Sequence, residues 1–168
     1  MREIIYNKSN LVDEDISRII KRAKLVLENN DGNILLCSSN DNYFLPGGRC
    51  EDNEDFIDCL VREVLEETGI VLPSFDSDAF LTINHIWNDI DNNVNIKLIA
   101  NYYSFKHDCY FNLDNTNLTE EEIDGGFSLC YVHKNNVLDF LNNKIKTCTN
   151  SLVISDTIEA INSYLELT

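Results

Sequence analysis

Between residues 55 and 68 the apolar side chains Phe56, Ile57, Leu60, Val61, Val64 and Leu65 recur at intervals of three and four. That spacing gathers them into one stripe of a helix and predicts that the stripe faces a core. Gly69, directly after it, is able to take the left-handed conformation that ends a helix. Elsewhere the pattern changes to a period of two. Residues 23–28 read as a strand, Asn30-Asp31-Gly32 as a hairpin turn and 34–37 as the returning strand. Residues 79–87 and 95–105 alternate well enough to make two long antiparallel strands, with the polar turn 88–93 between them. A short strand over 2–6, another over 127–132 and a helix over 136–141 complete the regular pieces. The last helix is expected to start with Asp156 as its cap and Glu159 three residues on, with Ile158, Ile161 and Leu165 facing the core. Residues 7–18 are polar and predict no defined element. Strands with helices on both sides make an α/β or α+β sandwich, and 168 residues are the length of one domain.

Charge narrows the classes of partner. With 13 basic against 29 acidic residues the chain carries −16, so it is not expected to bind nucleic acid or an anionic membrane through a basic patch. The six cysteines, at 37, 50, 59, 109, 130 and 148, contain no CxxC pair, which gives a zinc site little support. Most sit in apolar runs as small core residues. No signal peptide or long apolar stretch is visible, and the expected setting is the cytoplasm with reduced thiols.

The helix over 55–68 carries an unusual load. Glu63 lies three residues before Glu66 and four before Glu67, so the three carboxylates share one patch of surface and repel. They crowd the last turn, where the helix dipole also disfavours negative charge. A helix built only for solubility would interleave lysines, yet the sole cation within it is Arg62. Something outside the helix is expected to compensate, and a hard divalent cation bound through oxygens is the natural candidate. Without it at least one of the three carboxyls should titrate above its ordinary range, with the cluster behaving as a unit.

Residues 48–70 resemble the Nudix box, G-x5-E-x7-R-E-U-x-E-E-x-G-U with U a bulky aliphatic. Gly48, Glu54, Arg62, Glu63, Val64, Glu66, Glu67, Gly69 and Ile70 fill every fixed position. The lead-in Leu45-Pro46-Gly47-Gly48 and Glu51 also look like the family's approach to the box. Asn53 departs from the glycine of many members, and asparagine tolerates positive φ well enough to keep that turn. The resemblance implies the Nudix fold, a mixed β-sheet between helices with the box as loop, helix and loop. It implies an enzyme that hydrolyses the pyrophosphate bond of a nucleoside diphosphate linked to another moiety, using Mg²⁺ or alternatively Mn²⁺. The metal ligands carried over are Glu63 and Glu67, helped by Glu66 and the backbone carbonyl of Gly47. Arg62 is expected to orient a box glutamate, against the plainer reading of an i,i+4 pair with Glu66. Glu54 and Glu51 should hold the loop against the helix.

The general base is left open between a box glutamate, Glu66 or Glu67, and the acidic loop at 118–122, where Glu120 or Glu122 would serve. An exposed acidic loop is the plainer reading there. Tyr43, Phe44, His85 and Trp87 either stack a base or are ordinary core and surface, and His107 and His133 carry no readable role. The partner expected is a small-molecule nucleotide, and a homodimer is compatible with the chain. The alternative class is a catalytically quiet Nudix-like domain that binds a nucleotide as a sensor, which the complete set of repelling glutamates argues against. Substrate identity is not encoded in any motif. No proline follows Pro73, so the downstream proline of many ADP-ribose pyrophosphatases is missing, and no coenzyme A signature is present.

Overall fold

The computed structural model describes residues 1–73, 77–108 and 110–168. Cys109, counted above among the cysteines, lies outside the described residues. The strands are β1 (Arg2–Asn7), β2 (Arg18–Glu28), β3 (Asn33–Ser39), β4 (Asn42–Phe44), β5 (Leu81–Asp89), β6 (Val94–Lys106) and β7 (Ser128–His133). The helices are α1 (Phe56–Thr68), α2 (Glu120–Asp124), α3 (Val137–Lys144) and α4 (Ser151–Leu165). The strands form one seven-stranded sheet in the order β1-β5-β6-β2-β3-β4, with β7 also paired to β3. Pairing is mixed: β1 runs parallel to β5 and β2 parallel to β6, and the other neighbours are antiparallel. The expected mixed α+β sandwich is what forms.

Along the second half of β2 the side chains separate the two faces of the sheet. Ala23, Leu25 and Leu27 turn to one core with Leu60 and Val64 of α1. Val26 turns to the other, with Val137 and Leu141 of α3 and Ile154 and Ile161 of α4. Complete burial of Leu60 and Val64 stabilises by about 1.5–3 kcal/mol each relative to exposure. Asp55 caps α1 through the N–H groups of Ile57 and Asp58, and Gly69 ends it at φ 68°. Asn53 takes φ 68°, the positive value expected of the residue at that turn. Leu65 departs from the predicted stripe, for it is 37% exposed.

Three elements differ from expectation. β2 begins at Arg18, inside the segment that reads as polar, because it pairs residue by residue with β6 from Arg18↔Ile96 to Glu28↔Lys106. Backbone pairing holds that half while its side chains stay in water. The last helix begins at Ser151 with Asn150 as cap, and Asp156 lies within it, bonded to His85 at 2.8 Å. The acidic loop is the short helix α2. Thr119 caps it, and Glu122 returns its carboxylate to the Thr119 N–H at 2.7 Å, closing a capping box.

Candidate active site

The glycine loop before α1 is laid against β2 as an additional strand would be. Ala23 and Leu25 donate N–H bonds to the Gly48 and Pro46 carbonyls, and Cys50 donates to that of Lys21. This fixes Gly47 between two charged side chains. Its N–H donates to Glu67 Oε2 at 2.7 Å, and its carbonyl accepts from the Lys24 ammonium. Gly47 has φ 113°, and a Cβ there would clash with the Ala23 carbonyl oxygen. A Cβ on Gly48 would meet Glu63 Oε2. Gly47 is therefore required by its positive φ and the closeness of the loop to the β2 backbone, whereas a side chain at Gly48 would have to displace the Glu63 carboxylate.

The box glutamates have distinct environments. Glu67 is buried at 5% exposure and lies 3.8 Å from the Cys37 thiol, which donates to it. Burial pushes its carboxyl up to about 7; the Lys24 charge and the Gly47 N–H oppose the rise, while the charges of Glu63 and Glu122 add to it. Burial also raises Glu63, against the pull of Arg62 and Lys24. Raised carboxyls were expected, but from mutual repulsion; desolvation is the larger cause.

Arg62 accounts for much of the compensation that the sequence led us to seek outside the helix. It grips Glu54 with two bonds of 2.8 Å, meets Glu63 Oε1 at 2.8 Å and Glu66 Oε2 at 3.3 Å, and donates to the Arg49 carbonyl. Both readings of Arg62, as an orienting group and as an i,i+4 partner, thus describe the same side chain. Glu54 in turn accepts the Glu51 N–H, and the bond to Arg62 lowers its carboxyl to about 2. It holds the loop, as expected. At the far end of α1 the Thr68 and Glu66 carbonyls accept from the N–H groups of Asn112 and Asn117, so the chain itself satisfies the open end of the helix.

The ligand oxygens of Glu63, Glu66 and Glu67 do not all converge. Among the described residues, the group of three such side chains whose ligand atoms all lie within 4.8 Å of one another is Cys50, Glu54 and Cys59. Glu54 is committed there to Arg62, and burial raises both thiols, which disfavours the thiolates a zinc ion needs. The donors at the box, three carboxylates and a carbonyl, are hard oxygens of the kind that suit Mg²⁺. A positive side chain already sits on that carbonyl, so the position attracts cations. Of the later acidic residues, Glu120 is exposed while Glu122 is half-buried and near enough to Glu67 for its charge to be felt.

A cleft of about 700 Å³ opens beside the loop, with Arg22, Lys24, Phe44, His85, Trp87 and Asp156 in its lining. Phe44, His85 and Trp87 were among the aromatic candidates. Tyr43, the fourth, packs edge-on against Phe140 instead. Tyr6 stacks on His85 at 5.0 Å between ring centres. Sequence reasoning missed Arg22, Lys24 and Asp156. The available signal was that Arg22 and Lys24, two residues apart on a strand, must share a face.

The family model described as NUDIX domain matches residues 20–142, and the chain belongs to the Nudix family. It is accordingly a hydrolase of that class, acting at a pyrophosphate bond. Among solved structures it is similar to a NUDIX hydrolase from Nitrosomonas europaea, at 21% identity and a TM-score of 0.55 over 88% of each chain. A MutT protein from Methanosarcina mazei Go1 aligns at 20% identity and a TM-score of 0.54, over 89% of this chain and 96% of that one. A bifunctional NMN adenylyltransferase/ADP ribose pyrophosphatase from Francisella tularensis aligns at 17% identity and a TM-score of 0.51, over 88% of this chain and 40% of that one. These likenesses concern the fold. None of the curated proteins matches the sequence. No helix among the described residues is long and apolar enough to cross a membrane.

Proposed function

We propose that the chain hydrolyses the pyrophosphate bond of a nucleoside diphosphate bearing a further group, with Mg²⁺, or alternatively Mn²⁺, as its cofactor. The observation that carries this reading is the continuity of the cleft with the box: Lys24 lines the cleft and also contacts the Gly47 carbonyl. Phe44, His85 and Trp87 offer flat surfaces for a base, and Arg22 and Lys24 offer positive charge to phosphates in a chain that is otherwise strongly acidic. A cleft of about 700 Å³ lies within the ordinary range of small-molecule sites.

Glu63, Glu66, Glu67 and the Gly47 carbonyl would hold the ion. When bound it would supply charge neutralisation to the phosphates and a more acidic water. The remaining work belongs to the chain. Arg62 holds Glu63 and Glu66 in place from the side of Glu54, and the Gly47 N–H fixes the direction of Glu67. The proton leaving water is taken by a carboxylate, Glu66 or Glu67 of the box or Glu122 of α2. Glu122 is better placed than Glu120 because it is half-buried and its charge is felt at Glu67, though its carboxylate is shared with the cap of its own helix.

The test is a panel of nucleoside triphosphates, nucleotide sugars and dinucleotides incubated with the protein and Mg²⁺, read by release of phosphate, pyrophosphate or nucleoside monophosphate. Turnover of at least one class, abolished by chelation, is the expected result. Binding without turnover of any would leave the quiet sensor as the reading.

A further inference from the structure

We propose that Lys24 is the chain's own counter-cation at the metal position: its ammonium occupies the Gly47 carbonyl until a divalent ion arrives, and is then released into the cleft. The inference rests on the metal-dependent reading above. Lys24 interrupts a strand whose neighbouring residues, Ala23 and Leu25, are fully buried. Its ammonium sits against the Gly47 carbonyl, 3.1 Å from the Leu45 carbonyl and 5.0 Å from the centre of the Phe44 ring. An ammonium is a strongly hydrated point charge, and here two carbonyl oxygens and an aromatic face replace much of its water. Such a set of partners selects positive charge as such.

Charge on the other side of the loop gives the ammonium a reason to be there. The N–H of Gly47 donates to Glu67 Oε2 at 2.7 Å while its carbonyl takes the Lys24 ammonium, so one peptide stands between the carboxylate and the cation. The oxygen it holds is the same Gly47 carbonyl that would serve the divalent ion. Two cations on one carbonyl repel strongly in a partly desolvated site, so each excludes the other. Once displaced, Lys24 has a destination, because its side chain already lines the cleft beside Arg22 and its four-carbon stem is flexible. Metal entry would thus hand one positive charge from the empty cage to the polyphosphate. The device keeps the metal-free site from carrying uncompensated carboxylates, and it sets a competition that every binding ion must win.

The experiment measures Mn²⁺ binding, by electron paramagnetic resonance and calorimetry without nucleotide, for the wild type, Lys24→Met and Glu67→Gln, together with the melting temperature of each metal-free protein. Lys24→Met is expected to bind Mn²⁺ roughly tenfold more tightly, the effect of removing one competing charge near a protein surface. Its metal-free form should melt a few degrees lower. Unchanged or weaker Mn²⁺ binding by Lys24→Met, beside normal binding by the wild type, overturns the exchange and leaves the metal-dependent reading standing. Absence of Mn²⁺ binding by the wild type, or equal binding by Glu67→Gln, overturns both. Should Lys24→Met fail to fold, Lys24→Gln, which keeps a donor for the carbonyls and removes the charge, carries the same comparison.

Discussion

Glu28 and Glu67 are buried to nearly the same extent, at 1% and 5% exposure, yet their carboxyls are moved in opposite directions. Glu28 closes the end of β2. Its Oε1 lies 3.1 Å from both the Lys106 and the Lys134 ammonium, and its Oε2 accepts from the Tyr164 hydroxyl at 2.7 Å. Burial alone would raise it, but the hydroxyl and the two ammoniums outweigh burial and bring it below the ordinary carboxylate range. Glu67 closes the last turn of α1 with a backbone N–H and a thiol as its hydrogen-bond partners, and is raised to about 7. One carboxylate is buried together with its cations and joins β2, β6, the end of β7 and α4. The other is buried with no cation in direct contact among the described residues, Lys24 reaching it only from the far side of the Gly47 peptide. An unpaired buried charge is costly, so a chain that keeps one retains a demand for an ion from outside. The difference separates a carboxylate that holds the fold from the one we propose for the chemistry.

Exchange of each carboxylate for its neutral isostere should break the symmetry between them. Glu67→Gln is expected to lower kcat by about 10²–10⁴-fold, the range for losing a group that acts directly in the reaction. Its melting temperature should stay within a few degrees of wild type, because the native carboxyl is already easily neutralised. Steady-state kinetics beside a circular-dichroism melt decides it, and near wild-type turnover would remove Glu67 from the site. Glu28→Gln should do the reverse. It breaks a buried ion cluster, but the ammoniums of Lys106 and Lys134 reach water, their side chains being 56% and 32% exposed. The cost is therefore expected at about 2–3 kcal/mol, below that of a fully buried pair. For a chain of this size that lowers the melting temperature by about 5–10 °C, with kcat within about twofold of wild type. Lost turnover in a Glu28→Gln protein of normal stability would erase the distinction.

The two sites also differ in how far the sequence announces them. Glu67 belongs to a helix whose boundaries can be read directly: an apolar stripe, Asp55 before it and Gly69 after it. Glu54 and Arg62 are legible as well, since their bond is local to the box. Glu28 is silent, because its partners come from Lys106, Lys134 and Tyr164, distant in sequence and brought together only by the sheet. The same holds for Lys24, which as a lone lysine in an apolar strand reads as a surface residue. Its meaning depends on where the glycine loop lies. The start of β2 was hidden for another reason, since Arg18, Lys21 and Arg22 are polar and exposed while their backbones pair with β6. The start of α4 was misread because Asp156 and Glu159 imitate a cap, whereas Asp156 is used on His85. Local signals place elements well; pairing across the sheet decides the remainder.

Acid should separate the two carboxylates by a smaller effect. The folded chain binds a proton at Glu28 less readily than the unfolded chain does, because the Tyr164 hydroxyl and two ammoniums favour the ionised form. The stability this contributes is fully present above the unfolded carboxylate pKa of about 4.3 and is lost as pH falls from there towards the lower folded value. Glu28→Gln carries no such group, so the difference in melting temperature between it and wild type should be constant from about pH 7 to 5 and shrink below about pH 4.5. Glu54, lowered to about 2 by Arg62, contributes acid sensitivity to both proteins and cancels from the difference. Melting curves for the two proteins in metal-free buffers across that range provide the measurement. A difference that stays constant down to pH 3 would mean that Glu28 gains nothing from its ionised state, and the cluster at the end of β2 would then stabilise through packing and neutral hydrogen bonds alone.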